Sequence, residues 1–256
     1  MNSLFDLKGK SAIVTGGNGG IGKGIADGLA RAGADIAIAA RNEAKTALAA
    51  KDIRDRFAVR VLAVKTDVQK EEEIRAMVQK VLDHFGRIDI LVNNAGTNFR
   101  KAPQDFTAAD WDEILNTNLR SAFFCSKYVY PVMKSQGGGK IICIGSMTTL
   151  FGGAQIPLYG ASKGGIVQLA RSLAVAWAPD NIQVNSLLPG YINTDLISKA
   201  ERENPGLRKY VISRTPMRRL GDPEELGGTA AYLASRASDF VTGAAIPVDG
   251  GYSVML

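Results

Sequence analysis

Ser146, Tyr159 and Lys163 lie close together near the middle of a 256-residue chain, and between them they could hold and move a proton. Tyr159 and Lys163 are four residues apart in a stretch that reads as a helix, which stacks both side chains on one face. A lysine ammonium beside a phenol favours the phenolate, so the spacing predicts a tyrosine that gives and takes a proton near neutral pH. The pair alone fits an ordinary surface helix equally well. Two other stretches give it company: the run Thr15-Gly16-Gly17-Asn18-Gly19-Gly20-Ile21-Gly22, and Asn93-Asn94-Ala95-Gly96 behind an apolar segment.

The elements that must position these residues alternate along the chain. Ser11–Thr15, Asp35–Ala40, Val59–Val64, Ile88–Asn93, Lys140–Ser146 and Ile182–Leu188 read as strands, most of them apolar throughout, and Ala244–Val248 reads as a seventh. Helical patterns fall between them at about 20–32, 43–56, 70–85, 108–135, 157–178 and 223–235, with Thr107 and Asp222 as N-caps and Pro223 in a first turn. Such alternation predicts a parallel sheet covered by helices on both faces with right-handed crossovers. With no repeat and no low-complexity linker, residues 1–256 read as one domain. The stretch of about 190–221, with Pro189 just before it and Pro205, Pro216 and Gly221 within it, shows no clear period, and a loop of that length is expected to be a substrate lid.

Composition narrows the function. The apolar share of 46% is enough for a sizeable core, no apolar run reaches the ~20 residues that cross a bilayer, and the first residues lack signal-peptide character, so a cytoplasmic protein with no membrane contact is expected. Cys125 and Cys143 sit in apolar stretches as buried thiols do, and a single His with no Cys-x-x-Cys gives no metal site. The formal charge of +6 is spread among acids without a basic run, which fits mild steering of anionic ligands and not nucleic-acid binding. A strand running into a glycine-rich turn and then a helix lets backbone and helix amides meet a pyrophosphate, so a dinucleotide site is predicted at Thr15–Gly22. The register stays open: Gly17-x-Gly19-x-x-Gly22 and Gly16-x-x-x-Gly20-x-Gly22 both fit.

Taken with Asp67, Asn118 and Pro189-Gly190-x-x-x-Thr194, these motifs resemble the short-chain dehydrogenase/reductase family from about Leu7 to Gly251. Phe5-Asp6-Leu7-x-Gly9-Lys10, Arg214-Thr215-Pro216-x-x-Arg219 and Gly221-Asp222-Pro223-x-Glu225-Leu226 look closer still to its gluconate 5-dehydrogenase and 2-deoxygluconate dehydrogenase members. The resemblance implies a doubly wound, seven-stranded Rossmann-type sheet in the order 3-2-1-4-5-6-7, a nicotinamide cofactor, and hydride transfer between an alcohol and a ketone. It selects the register with Gly16, Gly20 and Gly22.

It also implies roles. Tyr159 exchanges a proton with the substrate oxygen; Lys163 holds the nicotinamide ribose and lowers the Tyr159 pKa; Ser146 hydrogen-bonds the substrate oxygen, its plainer reading being a turn serine. Asn118 kinks the long helix and supports a water reaching Lys163, with Asn116 as the alternative residue. Asn18, Gly19 and Ile21 join the glycine turn around the cofactor, Asp67 and Val68 contact the adenine, and Asn94, Ala95 and Gly96 line the adenosine ribose. Pro189, Gly190, Ile192 and Thr194 hold the nicotinamide end, Thr194 also reading as a helix cap. Ala40 stands where NAD-preferring members carry Asp, and Arg41 follows, so NADP is expected, with NAD the alternative; Gly19 lacks the arginine many NADP-preferring relatives place in that turn. Homotetramers pairing the apolar 108–135 and 157–178 helices are implied as well.

The basic pair Arg100-Lys101, just beyond Asn94-Ala95-Gly96, suits a carboxylate, which favours a sugar acid or polyol as substrate with Arg100 at its acidic end. A 3-oxoacyl-carrier-protein reductase shares every motif, and a nucleotide-sensing module without catalysis is the remaining alternative.

Overall fold

The computed structural model describes residues 4–255. Strands β1 (Ser11–Thr15), β2 (Asp35–Ala40), β3 (Val61–Lys65), β4 (Ile90–Asn93), β5 (Gly139–Ile144), β6 (Ile182–Pro189) and β7 (Ala245–Val248) form one sheet, parallel throughout, in the order β3-β2-β1-β4-β5-β6-β7. This is the order the resemblance implied. The helices are α1 (Gly20–Arg31), α2 (Glu43–Arg56), α3 (Glu71–Phe85), α4 (Ala108–Leu115), α5 (Ser121–Ser135), α6 (Pro157–Trp177), α7 (Asp195–Glu203), α8 (Leu207–Arg214) and α9 (Pro223–Ala234).

Alternation along the strands builds two cores. Ala12 and Val14 of β1 pack with Ile25 and Leu29 of α1, Ile53 of α2 and Leu226 of α9. Ile13, pointing the other way, packs with Met77 of α3, Val129 of α5 and Ile166 of α6. Each fully buried aliphatic side chain contributes roughly 1.5–3 kcal/mol, so the two layers fix the sheet firmly beneath the loops at its carboxyl edge. Cys125 and Cys143 are free thiols inside the second core, where burial pushes them up to about 12 and about 11.

The expected caps form. Thr107 Oγ1 accepts from Asp110 N at 3.2 Å while the Asp110 carboxylate takes Thr107 N at 2.9 Å, and Glu225 takes Asp222 N at 2.8 Å ahead of Pro223. The stretch expected as one helix over 108–135 is broken by a π turn at Asn116–Arg120. The lid departs further from expectation, because 190–221 contains α7 and α8 on either side of Asn204-Pro205-Gly206. Helices this short are marginal alone. These two form by covering a separate small cluster of Ile197, Ala200, Leu207, Val211, Leu220 and Tyr191. The lid's ends are stapled together by Asn193 N to Gly221 O at 2.8 Å and Gly221 N to Tyr191 O at 3.0 Å.

Candidate active site

The loops after β1, β2, β4, β5 and β6 meet at the carboxyl edge of the sheet, where open parallel sheets hold ligands. After β1 the backbone needs glycine at two points: Gly16 has φ +65° and Gly20 φ +51°, both left-handed. Gly22 is required by contact instead, since a Cβ there would lie 2.4 Å from both Asn94 Nδ2 and Gly16 O. Gly17 and Gly19 have no positive φ, so the geometry follows the Gly16, Gly20, Gly22 register. Thr15 clasps the turn to the loop after β4: its Oγ1 accepts from Asn94 N and Ala95 N, both at 3.0 Å, while Asn94 Nδ2 donates to Thr15 O at 2.8 Å. Asn18 and Ile21 lie in the same turn, with Asn18 Nδ2 donating to Thr46 Oγ1 at 3.0 Å. A cradle emptied of side chains at a helix start fits a dinucleotide diphosphate, for which Gly16–Gly22 would be the seat.

The other cofactor residues surround this turn. Arg41, directly after β2, is exposed and forms no ion pair with a described residue. Asp67 accepts from Gln69 N at 3.1 Å beyond β3, and Val68 is buried. Gly190 closes on Asp249, and Ile192 pairs with Gly221 at the lid's base. Thr194 stands at the N-cap position of α7 yet makes no capping bond; its hydroxyl donates to Ile192 O at 3.2 Å, and its Cγ2 would lie 3.4 Å from a Cβ on Gly20. That leaves Thr194 facing the glycine turn.

Ser146, Asn118, Tyr159 and Lys163 come together beside it. Asn118 is buried in the π turn, where Oδ1 accepts from Thr97 N at 2.8 Å and Nδ2 donates to Thr97 O at 3.0 Å and Ser162 Oγ at 2.9 Å. Asn116, two residues earlier, makes no such link. Lys163 is buried, donates to Ile144 O at 2.7 Å, and lies with Asn118 Oδ1 around Gly96. Burial drives its ammonium down from 10.5 to about 8. Ser146 is buried two residues beyond β5; it accepts from Thr148 N at 3.2 Å and also interacts with the Tyr159 phenol, so the turn role and the site role coexist.

Around the Tyr159 phenol two influences oppose each other. Burial raises the phenol, Ser146 pulls it down, and the Lys163 Nζ, 5.7 Å from the ring centre, is directed at a backbone carbonyl. A protonated phenol is the form that can donate to a carbonyl oxygen.

The basic pair on the 97–101 loop is split. Lys101 Nζ sits 2.6 Å from Asp110, whose carboxyl that hydrogen bond, with help from Thr107, holds at about 2. Arg219 pairs with Glu225 at 2.6 Å, and Arg218 donates to Ser213 O at 2.6 Å. Arg100 and Arg214 have no acidic partner among the described residues, and Arg214 Nε is buried without a hydrogen bond. The Arg214 guanidinium lies 5.9 Å from the Tyr252 ring centre, Tyr252 is edge-on to Tyr191, and Arg100's charge acts on Tyr191. Burial pushes Tyr252 up to about 12. Phe151, on the loop after Ser146, meets the same ring at 5.7 Å. Sequence reasoning placed only Arg100 here. Arg214 stands in the motif Arg214-Thr215-Pro216-x-x-Arg219 without a role there, and nothing local marks Tyr191 or Tyr252, which the fold brings to it from just beyond β6 and from beyond β7.

Comparison with known proteins follows the same lines. The family model described as Enoyl-(Acyl carrier protein) reductase matches residues 16–253. The 2-dehydro-3-deoxy-D-gluconate 5-dehydrogenase of Dickeya dadantii is 41% identical over 251 residues, 98% of this chain and 98% of that one. A tropinone reductase homologue of Arabidopsis thaliana is 37% identical over 98% of this chain and 94% of its own. The crystal structure of a gluconate 5-dehydrogenase from Burkholderia cenocepacia J2315, in complex with NADP and tartrate, matches with a TM-score of 0.93 and 38% identity over 98% of each chain.

Proposed function

The chain belongs to the short-chain dehydrogenase/reductase family, and on that premise we propose that it interconverts a secondary alcohol and a ketone on a sugar acid of the gluconate type, with NADP. The observation that carries the substrate reading is the pair Arg100, on the loop after β4, and Arg214, at the end of α8, guanidiniums without an acidic partner among the described residues that both lie by the Tyr191–Tyr252 pair. An arginine binds a carboxylate through two parallel hydrogen bonds, and the half-buried Arg214 gains more from doing so than the exposed Arg100. The NADP reading is supported by Ala40 and the unpaired Arg41 at the end of β2, where a carboxylate would repel a 2′-phosphate.

Residues Gly16 to Gly22, Arg41, Asp67, Val68, Asn94 to Gly96, Pro189, Gly190, Ile192 and Thr194 would hold the nucleotide, with Tyr159 and Lys163 at its ribose. The bound nicotinamide supplies the hydride acceptor or donor. In oxidation Tyr159 would have to lose its own proton first and then take that of the substrate hydroxyl held by Ser146, while the hydrogen on the same carbon would leave as hydride to the bound nicotinamide. In reduction Tyr159 returns the proton to the carbonyl oxygen. Asn118 ties the Thr97 backbone to Ser162, the neighbour of Lys163, and residues 190–221 close over the substrate. Trp111 and Phe123 on the α4–α5 side, with Val175 on α6, are exposed and apolar, which fits burial between copies in a homotetramer; light scattering at micromolar concentration that gives a monomer overturns the assembly.

Arg100→Ala and Arg214→Met are each expected to raise KM for gluconate at least about tenfold, roughly 1.4 kcal/mol, with KM for a neutral polyol little changed. Equal effects on both substrates, or preferred turnover of 3-oxoacyl thioesters, overturn the substrate assignment. No nicotinamide absorbance change with any ketone or polyol leaves a nucleotide-binding module instead.

A further inference from the structure

We infer that Lys45 recognises the adenosine 2′-phosphate of NADP, filling a notch that a side chain at position 19 would otherwise take; the inference rests on the NADP reading above. Gly19 has φ −178°, extended backbone open to any residue, so conformation does not demand glycine there. What a side chain there would meet is Lys45. A Cβ on Gly19 would lie 2.8 Å from Lys45 Nζ and 3.1 Å from its Cε, and no other atom crowds the position. The ammonium thus occupies the entrance to α1, although the lysine belongs to the first turn of α2.

The backbone that carries it is tied on both sides. Asn42 caps α2 by accepting from Lys45 N at 2.9 Å, and Asn18, beside Gly19, donates to Thr46, beside Lys45, at 3.0 Å. Arg41 and Lys45 consequently bring two cations to the end of β2, the place where an adenosine ribose is distinguished from its phosphorylated form. The charges facing Lys45 are modest. Asp195 of α7 approaches Nζ at 3.8 Å with its side chain fully exposed, and Glu43 is drawn toward Lys65 at 3.8 Å. An exposed pair of that kind contributes little, so a phosphate carrying about two charges displaces Asp195 readily.

The test is a fluorescence titration of the full-length enzyme with NADPH and with NADH. Lys45→Ala is expected to raise Kd for NADPH about tenfold and to change Kd for NADH less than about twofold. Gly19→Arg in the Lys45→Ala background, now with an open notch, is expected to recover NADPH affinity to within about threefold of wild type. Equal weakening for both nucleotides, no weakening for NADPH, or no recovery in the double variant overturns the assignment of Lys45. A wild-type protein that binds NADH more tightly than NADPH overturns the NADP reading itself, before any variant is made.

Discussion

The two halves of the site are built from different materials. Around the nucleotide seat, Gly16, Gly20 and Gly22 clear side chains away and the Thr15–Asn94 clasp fixes backbone to backbone. Around the proposed substrate seat, residues 190–221 and the 97–101 loop bring arginines and tyrosines together, and the cations differ in pairing: Lys101 and Arg219 have acidic partners, Arg100 and Arg214 have none among the described residues. The contrast teaches that one half tolerates almost no change in shape, while the other is tuned by the pairing of charges on a scaffold that can vary.

Substitutions can break this contrast or sharpen it. The largest effect is expected where the halves meet. Tyr159→Phe keeps ring and packing but loses the transferable proton, so kcat should fall about 10²-fold or more with Kd for NADPH unchanged; a variant retaining over a tenth of the rate identifies a different acid.

Lys163 comes next, through pH. Its folded value of about 8 lies below the unfolded 10.5, so between them the unfolded chain binds a proton the folded chain has released, and stability rises with pH across that window. Below about 8 the folded protein carries a desolvated ammonium, a cost on the order of 3 kcal/mol at roughly 1.4 kcal/mol per pH unit. Lys163→Met should therefore gain most over wild type near pH 7 and lose that advantage by pH 10.5. A Tm difference that stays constant from pH 7 to 10 contradicts the buried cation.

Smaller again, Gly22→Ala must push a methyl into Gly16 O and Asn94, which should lower stability by about 1–3 kcal/mol and weaken NADPH. Lys199→Ala in the lid, breaking an exposed pair with Glu203, should change stability by under about 0.5 kcal/mol. Comparable losses at both positions would erase the difference between the halves.

That difference also governs what the sequence discloses. β1 and β2 match their expected limits to the residue because continuous apolar runs between turns admit one reading, and the glycine turn is legible because positive φ and close approach demand one residue type. The lid's helices are illegible locally, since α7 and α8 exist only by packing on Tyr191 and Leu220. Lys45 and Gly19 are 26 residues apart and meet only in the fold. Arg100 and Lys101 look alike in sequence; Asp110, reaching one of them from α4, makes them different. Lys163 and Tyr159 share a helix face as their spacing requires, yet burial raises the one pKa and lowers the other, an effect that spacing does not carry.

The proposed enzyme is a reductase and dehydrogenase for a sugar acid with NADP. It is tested most directly by kcat/KM of the wild-type enzyme for a keto-aldonate, the matching neutral ketose and a 3-oxoacyl thioester, each with NADPH and NADH. The expected result is the keto-aldonate with NADPH ahead of every other combination by about tenfold or more. A higher kcat/KM for the thioester, or for NADH with the keto-aldonate, contradicts it.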